Sequence, residues 1–424
     1  MTVETPSTAE ALRLANASTT AEVLRLANAI QEAAQRLAAL RDESSPDDVL
    51  SEHEQLRQQL IGRMAHASRL LQNPIDYLKG LTQGGALDVG VVRALVLLGV
   101  PKAVPLTGGI PLEALAGTVK VDVSTLGRLL DYAGTLGLFT VSDEQLVRHS
   151  RLSAGLAQGT YAPIVEWDVT IPPVSALRLY EALRANGNCE GAERASFQFG
   201  METNETFYEW HKANPKYAAF FRLGMESEKE DPRTAPQNLA RIYDWTVFDG
   251  KTVIDLGGST GHVARLVADK YPGIDWIIQD LPETIKPLPP SDRANMRFEE
   301  HDFFHTQPRS VDGYFLRYIF HNWADSDCRR ILAGLKPALR PGARLLVAEM
   351  VQPVPTAARE DGWVEERLFT RRDMQMMSYV GAHERTVDEY RRLVDGVIPG
   401  LRFLGCHKPM GSTVGILEWI YTAE

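Results

Sequence analysis

The distribution of apolar and polar residues divides the 424-residue chain into two parts that meet near Asp249 and Gly250. Before this point, apolar residues recur every three or four positions, as in TAEALRLANA at 8–17, which predicts amphipathic helices. After it, short apolar runs alternate with stretches of helical periodicity. Strands this apolar, separated by helices, are typical of a parallel sheet covered on both faces. The pattern therefore predicts a helical first part and an α/β second part.

The second part, residues 249–424, is expected to form a doubly wound sheet. A helix is predicted from about 325 to 339 and another at TVDEYRRLVDGV. No helix is predicted between the last two apolar runs, which are expected to pair as an antiparallel hairpin. The seven predicted strands are TVIDLG, DWIIQD, MRFEEHD, GYFLRYIF, ARLLVAEM, LRFLGCHKP and TVGILEWIYT.

The helical first part subdivides into an extension and a second module. TAEALRLANA returns at 20–29 as TAEVLRLANA, and Ser or Thr caps precede both copies, so residues 1–45 are expected to be a helical extension used for packing or dimer contact. Ser45 and Pro46 predict the start of a helix that runs to about Leu71. Residues 46–162 are interpreted as a dimerisation domain.

Within that domain, the helices LEALAGTV and VSTLGRLLDYAGTLGLF precede the strand-like FTVSDEQLVRHS, an order that resembles a winged helix. The second helix carries Arg128 as its only basic residue. Neutralising DNA phosphates needs several cations, so packing against a partner subunit is favoured over DNA binding.

Residues 163–248 are expected to be a helical connector rich in aromatic and methionine side chains. Such side chains usually form core, but they also line adaptable pockets for flat ligands. The candidate pocket residues are Phe199, Met201, Phe221, Met225, Met374 and Met377.

Composition excludes several classes of protein. The chain is 44% hydrophobic and carries 45 Lys and Arg against 55 Asp and Glu, so a polyanion-binding surface is not expected to dominate it and nucleic acid is not an expected partner. No apolar run was found that approaches the roughly 20 residues of a membrane span. The three cysteines lie far apart in the sequence and favour neither disulfides nor a metal site. The acidic residues Glu4, Glu10 and Glu22 count against a transit peptide. A cytoplasmic protein is expected.

The stretch VIDLGGSTGH at 253–262 joins the first predicted strand to a helix through Gly257, Gly258 and Gly261. This order is not the G-x-G-x-x-G of dinucleotide sites, and the turn lacks the Lys and Ser/Thr of a phosphate loop. The carboxylate of Asp255 would repel a pyrophosphate but would accept bonds from an ammonium or hydroxyl group. Asp280, at the end of the next strand, is placed to bind both ribose hydroxyls of a nucleoside. S-adenosylmethionine has these features.

Six blocks extend the pattern: VIDLGGSTGH, IIQDLPETI, HDFF, FLRYIFHNWADSDCRRIL, LLVAEMVQP and GAHERTVDEY. In this order they resemble the S-adenosylmethionine-dependent O-methyltransferases of plant and fungal secondary metabolism, most closely the fungal polyketide-type enzymes. The resemblance covers about residues 85–424 and implies a class I methyltransferase domain and a small-molecule acceptor. A homodimer is expected because the Ala- and Leu-rich N-terminal helices carry more apolar surface than a lone extension could shelter from water.

The resemblance also implies roles for single residues. His321 matches the catalytic base, and Glu349 and Glu384 match the two acids that flank and orient it. Asn322 replaces an aspartate common in the plant enzymes and is grouped with the acceptor pocket. The implied cofactor contacts are Asp255, Gly257, Gly258, Gly261, Asp280, Leu281, Asp302, Phe303 and Arg317. Among them, Asp302 and Phe303 would bracket the adenine.

Acid–base chemistry is consistent with these roles. A phenol has a pKa of about 10 and histidine one of about 6.5, so a neutral imidazole within hydrogen-bond reach takes the proton as the oxygen attacks.

Two alternatives remain open. The first is a pericyclase on the same scaffold that binds S-adenosylmethionine without transferring its methyl group. The second is a non-enzymatic winged-helix regulator, an interpretation that gives the blocks after residue 250 no role.

Overall fold

The computed structural model describes residues 8–40, 51–159, 161–227, 233–352, 360–408 and 412–422; for 8–18 and 225–227 only the backbone is described. Ser45 and Pro46 lie outside these residues.

The chain begins with two long helices, α1 (Thr8–Ala39) and α2 (Glu52–Leu71), which pack against each other. The two copies of the repeated decapeptide lie in one continuous helix, which corrects the expectation that each copy has its own cap. Their strong helix formers run through Ser18, Thr19 and Thr20 without a break. The second helix ends at Leu71 as predicted, and its described start is at Glu52, where Ser51 accepts a hydrogen bond from the Glu54 amide.

Residues 74–97 form one helical run, made of α3 (Pro74–Lys79), a π-helical turn (Gly80–Gly84) and α4 (Gly85–Leu97). An 18-residue window of this run has a mean hydropathy of 1.2, and only 6% of that window is buried. By length and composition it is able to cross a membrane, so the expectation that no apolar run reaches this length was wrong. The sequence-based reading missed it because Asp76, Lys79, Asp88 and Arg93 interrupt the run.

A small sheet of three strands in the order β1-β3-β2 follows. Leu95, Leu115, Leu126, Phe139 and Val147 form the core between it and the surrounding helices. The elements predicted between 85 and 160 are present, while the winged-helix interpretation and the dimerisation role stay predictions. The elements are α5 (Val100–Ala103), β1 (Ile110–Pro111), α6 (Leu112–Val119), α7 (Val123–Thr135), β2 (Thr140–Val141), β3 (Leu146–Arg148) and α8 (Arg151–Ala154).

Short helices build the connector around an aromatic cluster that includes Trp167, Phe197, Phe207 and Tyr379. They are α9 (Val165–Asp168), α10 (Ile171–Ala176), α11 (Leu179–Asn186), α12 (Ser196–Met201), α13 (Phe207–Ala213), α14 (Pro215–Ser227) and α15 (Leu239–Ile242). Two 3₁₀ turns, Pro236–Asn238 and Trp245–Phe248, flank α15.

The second part is the predicted seven-stranded sheet, in the order β6-β5-β4-β7-β8-β10-β9. The first five strands in sequence are parallel, and β10 pairs antiparallel with both β8 and β9, which confirms the terminal hairpin. Separate hydrophobic clusters cover the two faces, as a doubly wound sheet requires. The strands are β4 (Thr252–Leu256), β5 (Asp275–Asp280), β6 (Met296–Glu300), β7 (Gly313–Arg317), β8 (Arg344–Met350), β9 (Leu401–His407) and β10 (Val414–Tyr421).

The helices of this part are α16 (His262–Lys270), α17 (Pro282–Ile285), α18 (Asp325–Leu335), α19 (Trp363–Val380) and α20 (Val387–Asp395), with 3₁₀ turns at Phe320–Asn322 and Lys336–Ala338. Helix α19 contacts α2, α10, α12 and the turn at Phe320–Asn322. It therefore connects the helical first part to the carboxyl edge of the sheet, where parallel strands usually place a binding site.

Candidate active site

The glycine turn after β4 is shaped so that only glycine fits. Gly257 and Gly261 have φ angles of 72° and 70°, in the left-handed region. A Cβ atom on Gly257 would lie 2.5 Å from Ile319 Cδ1, and one on Gly258 would lie 2.6 Å from Asp255 Cγ. The backbone therefore packs closely against its neighbours and forms a tight glycine cradle in front of α16.

Asp280 ends β5 beside this turn and helps to hold it. Its Oδ2 accepts a hydrogen bond from the Ser259 amide at 2.9 Å, and its Oδ1 accepts one from the Leu281 amide at 2.8 Å. Each carboxylate oxygen accepts more than one bond, so Asp280 retains acceptor capacity for a diol at the edge of the cradle. Leu281 is 40% exposed next to it.

Asp255 lies beneath the cradle and is buried. Burial raises its pKa to about 7 and the nearby Asp280 carboxylate adds to this rise, while Arg317 opposes it. The Arg317 guanidinium lies 4.2 Å from the centre of the Tyr318 ring, and its buried Nε has no hydrogen-bond partner among the described residues. The turn that excludes Cβ atoms, the Asp280 carboxylate at its rim and the unpaired Arg317 donor suit a ligand that has hydroxyl groups and hydrogen-bond acceptors, so these residues fit S-adenosylmethionine.

Asp302 and Phe303 follow β6, the edge strand that pairs with β5. Asp302 Oδ1 accepts a hydrogen bond from the Phe304 amide at 2.9 Å. The Phe303 ring lies 3.4 Å from the position that a Cβ on Gly257 would occupy. Phe303 thus lies at the cradle, while contact of Asp302 and Phe303 with an adenine stays a prediction.

His321 lies in the 3₁₀ turn that follows β7. Its Nδ1 is 2.9 Å from Glu384 Oε1, and the pair is buried. Burial alone would lower the pKa of His321, but the carboxylates of Glu384 and Glu349 outweigh burial and raise it. A carboxylate on Nδ1 fixes the tautomer that leaves Nε2 with the lone pair.

Glu349, near the end of β8, holds the turn and not the ring. Its Oε1 accepts hydrogen bonds from the amides of Ile319 and Phe320 at 2.9 and 2.8 Å. This corrects the expectation that both acids orient the imidazole directly, because the ring nitrogen is already bonded to Glu384. Burial raises the pKa of Glu349 to about 7, and Glu384 adds to the rise. One potential ligand atom each from His321, Glu349 and Glu384 lie within 4.8 Å of one another, so the group would also be able to hold a metal ion.

The sequence reasoning missed three residues that position this group. Arg385 is 1% exposed and donates hydrogen bonds to the carbonyls of Phe320 and Trp323. The Tyr318 ring stacks on His321 at 5.0 Å, and Asp373 Oδ1 accepts a bond from the Glu384 amide. Arg385 directly follows Glu384 in the matched block GAHERTVDEY. Its place inside that block was the sequence signal that could have identified it.

The predicted acceptor residues are only partly gathered at this site. Met201 and Phe221 pack with the aromatic cluster, which favours a core role for both. Phe199 and Met377 are partly buried, and Met374 is 45% exposed on α19. The Asn322 side chain donates to the Tyr318 carbonyl at 2.9 Å and so closes the catalytic turn. The side chain of Met225 lies outside the described residues.

A family model described as an O-methyltransferase domain matches residues 179–397. The 6-hydroxytryprostatin B O-methyltransferase of Aspergillus fumigatus is 36% identical over 351 residues, which cover 79% of this chain and 98% of that protein. O-methyltransferase FrzF of a Cladobotryum species is 32% identical, covering 87% of this chain and 88% of its own.

Solved structures share the fold. Mitomycin 7-O-methyltransferase MmcR superposes with a TM-score of 0.65 at 26% identity, covering 85% of this chain and 99% of its own. LepI in complex with S-adenosylmethionine gives 0.70 at 22% identity, covering 96% and 100%. A structure titled as a pericyclic reaction enzyme gives 0.70 at 22% identity, covering 94% and 99%.

Proposed function

The chain belongs to the O-methyltransferase family, and we propose that it methylates a hydroxyl of an aromatic or polyketide-type secondary metabolite with His321 as general base. The observation that carries this proposal is the bond between His321 Nδ1 and Glu384. His321 follows Ile319 by two residues, and the Ile319 side chain lies against the glycine cradle. The segment that carries the base thus packs against the cofactor cradle.

S-adenosylmethionine, when bound, supplies an electrophilic methyl group on a positively charged sulfur. Glu384 holds the proton on Nδ1 of His321, so Nε2 accepts the proton of the acceptor hydroxyl. The raised pKa of the imidazole makes it a stronger base, and the Glu384 carboxylate stabilises the imidazolium that forms. Glu349 fixes the backbone of the turn and thereby the position of the ring.

Cofactor binding is proposed for Asp255, Asp280, Leu281, Asp302, Phe303, Arg317 and the three glycines of the turn. Asp280 lies at the rim, where a carboxylate reaches both hydroxyls of a ribose. Arg317 supports the assignment because a buried donor without a partner costs free energy until a ligand satisfies it.

The ratio of S-adenosylhomocysteine to product tests this function. Each transferred methyl consumes one cofactor, so a ratio near one is expected with any acceptor that the enzyme converts. A ratio near zero with an active enzyme would overturn methyl transfer and favour a pericyclase, in which the cofactor survives as a bound cation.

A cytoplasmic homodimer is also proposed. Leu71, Ile75, Leu78, Leu81 and Leu87 are each more than half exposed along α2–α4. A contiguous apolar surface of this kind marks an interface, and a second copy of the chain would cover it. Cys189, Cys328 and Cys406 are free thiols, which is consistent with a reducing compartment.

A further inference from the structure

Arg385 is a buried cation next to the proposed catalytic group. It directly follows Glu384 in the sequence and is 1% exposed. Its Nε and Nη2 donate hydrogen bonds to Oδ1 of Asp325, the first residue of α18, at 3.0 and 2.8 Å. A charge held in the interior costs free energy unless it is paired and hydrogen-bonded. These two bonds use only part of the five donors of a guanidinium, so the others need partners of their own.

The other donors of Arg385 bind the backbone of the turn that carries His321. Nη1 donates to the carbonyl of Phe320 at 2.8 Å, and Nη2 donates to the carbonyl of Trp323 at 2.9 Å. These two carbonyls bracket His321 and Asn322 in the sequence. One rigid, planar group thus holds both ends of the turn.

Arg385 and Glu384 join the same two segments of chain at neighbouring points. Glu384 Oε1 lies 2.9 Å from His321 Nδ1. The next residue, Arg385, bonds the carbonyl of Phe320, the residue before His321. A single bond between a carboxylate and an imidazole leaves both side chains free to rotate about it, whereas a second bond one residue away removes much of that freedom. Arg385 is therefore placed to fix the distance and orientation of the Glu384–His321 pair.

The contacts of Arg385 complement those of Glu349 on this turn. Glu349 accepts hydrogen bonds from two amides of the turn, whereas Arg385 donates to two of its carbonyls. The Sγ atom of Cys328 also lies 3.4 Å from the carbonyls of Phe320 and Trp323. A thiol is a weak donor, so the charged guanidinium makes the stronger bonds to both carbonyls.

From these bonds, we propose that Arg385 is a positioning residue for methyl transfer: it holds the turn of His321 so that Glu384 bonds Nδ1 and Nε2 faces the acceptor hydroxyl. This inference rests on the methyl-transfer function proposed above. A guanidinium has only donors and keeps its charge, so Arg385 does not itself take a proton. Its effect is expected in the tautomer of the imidazole, because a carboxylate held on Nδ1 keeps the proton on that nitrogen.

The tautomer of His321 tests the inference without any acceptor. Nitrogen NMR spectra of the full-length chain, labelled at its histidines and loaded with S-adenosylhomocysteine, distinguish a protonated ring nitrogen from one with a lone pair. The spectrum of His321→Ala identifies the signal. In the neutral imidazole of the wild type, the proton is expected on Nδ1. Arg385→Lys and Arg385→Gln should lose this preference, because neither side chain has the fork that bonds two carbonyls at once.

Turnover gives a second measurement. With an acceptor that the enzyme converts, Arg385→Lys should lower kcat by about 10²-fold, the cost of a reacting group misplaced by about 1 Å. The KM for S-adenosylmethionine should stay nearly unchanged, because the proposed role of Arg385 concerns the base and not the cofactor.

Leu393→Ala is the control for a purely structural effect. Leu393 is 1% exposed on α20, the helix that begins two residues after Arg385, and the change removes part of a core side chain. This variant should be less stable and yet keep the proton of His321 on Nδ1. Calorimetry with S-adenosylhomocysteine shows which variants are folded.

Three results would overturn the inference: a wild-type proton on Nε2, a proton that stays on Nδ1 in a folded Arg385 variant, or an equal change in Leu393→Ala. Loss of S-adenosylhomocysteine binding in both Arg385 variants would assign this residue to folding alone and overturns the inference as well. Failure of methyl transfer would instead appear as product without S-adenosylhomocysteine, with the dependence of the tautomer on Arg385 intact.

Discussion

At the scale of single residues, the proposed catalytic group is the His321 imidazole, whose two nitrogens have different tasks. Glu384 bonds Nδ1, and within the described residues Nε2 has no hydrogen-bond partner. The raised pKa of His321 depends on the Glu384 and Glu349 carboxylates, because burial alone would lower it. The pH dependence of turnover therefore reports how far these carboxylates raise the pKa of His321.

We expect Glu384→Gln to shift the acidic limb of the kcat/KM profile to lower pH, because removing the carboxylate lowers the pKa of His321. Activity requires neutral imidazole, so in the wild type it rises with pH through the raised pKa. His321→Ala should lower turnover by about 10²- to 10⁴-fold and leave S-adenosylmethionine affinity nearly unchanged. Rate measurements across pH and calorimetry check both. An unshifted limb in Glu384→Gln would contradict the role of the pair.

At the scale of secondary-structure elements, the site is built where four parallel strands end. β4 leads into the glycine cradle, β5 ends at Asp280, β7 runs into the turn of His321, and β8 delivers Glu349. Side chains from one strand hold the backbone that follows another: Asp280 bonds the amide of Ser259, and Glu349 bonds those of Ile319 and Phe320. Cofactor binding therefore depends on contacts between elements.

Replacing Asp280 with Ala should weaken S-adenosylmethionine binding by roughly 1.5 to 3 kcal/mol, the range for losing hydrogen bonds to a charged group. The variant loses the acceptor proposed for the ribose and also loosens the turn at Ser259. Calorimetry measures the dissociation constant. Asp275→Ala, at the exposed opposite end of the same strand, is the matched control and should bind normally. A normal constant for Asp280→Ala would mean that the ribose is held elsewhere.

At the scale of the whole molecule, the exposed apolar residues between Leu71 and Leu97 distinguish the helical first part from the well-covered sheet. They lie on the run that also passes the length and hydropathy test for a membrane span. Their exposure in a single chain is the physical basis for proposing a homodimer.

Light scattering should give the mass of two chains for the full-length protein at micromolar concentration, and deleting residues 1–80 should cause aggregation or loss of the dimer. Leu78→Gln/Leu81→Gln should weaken the dimer, because each side chain is more than half exposed in one chain. Leu404→Gln, an exposed leucine on β9, is the control and should not. A well-behaved monomer of the full-length chain rules out the proposed assembly.

The sequence by itself determined the sheet and predicted the residues of the proposed catalytic group. The inner strands β4, β5, β7, β8 and β10 are largely buried and read as continuous apolar runs, which made them predictable. The edge strands β6 and β9 are only partly buried and carry polar residues among the apolar ones, yet they too lie where the sequence predicted strands. The turn glycines were predictable as well, because a close backbone approach excludes any Cβ.

Only the tertiary structure decided how these residues divide their tasks, because contacts between distant segments leave no periodic signal. Glu349 and Glu384 look equivalent as matched acids, yet the fold directs one to the backbone of the turn and the other to the imidazole. The single helix α1 replaced two predicted ones, since helix formers propagate through a short Ser-Thr-Thr segment that only a tertiary break would have stopped.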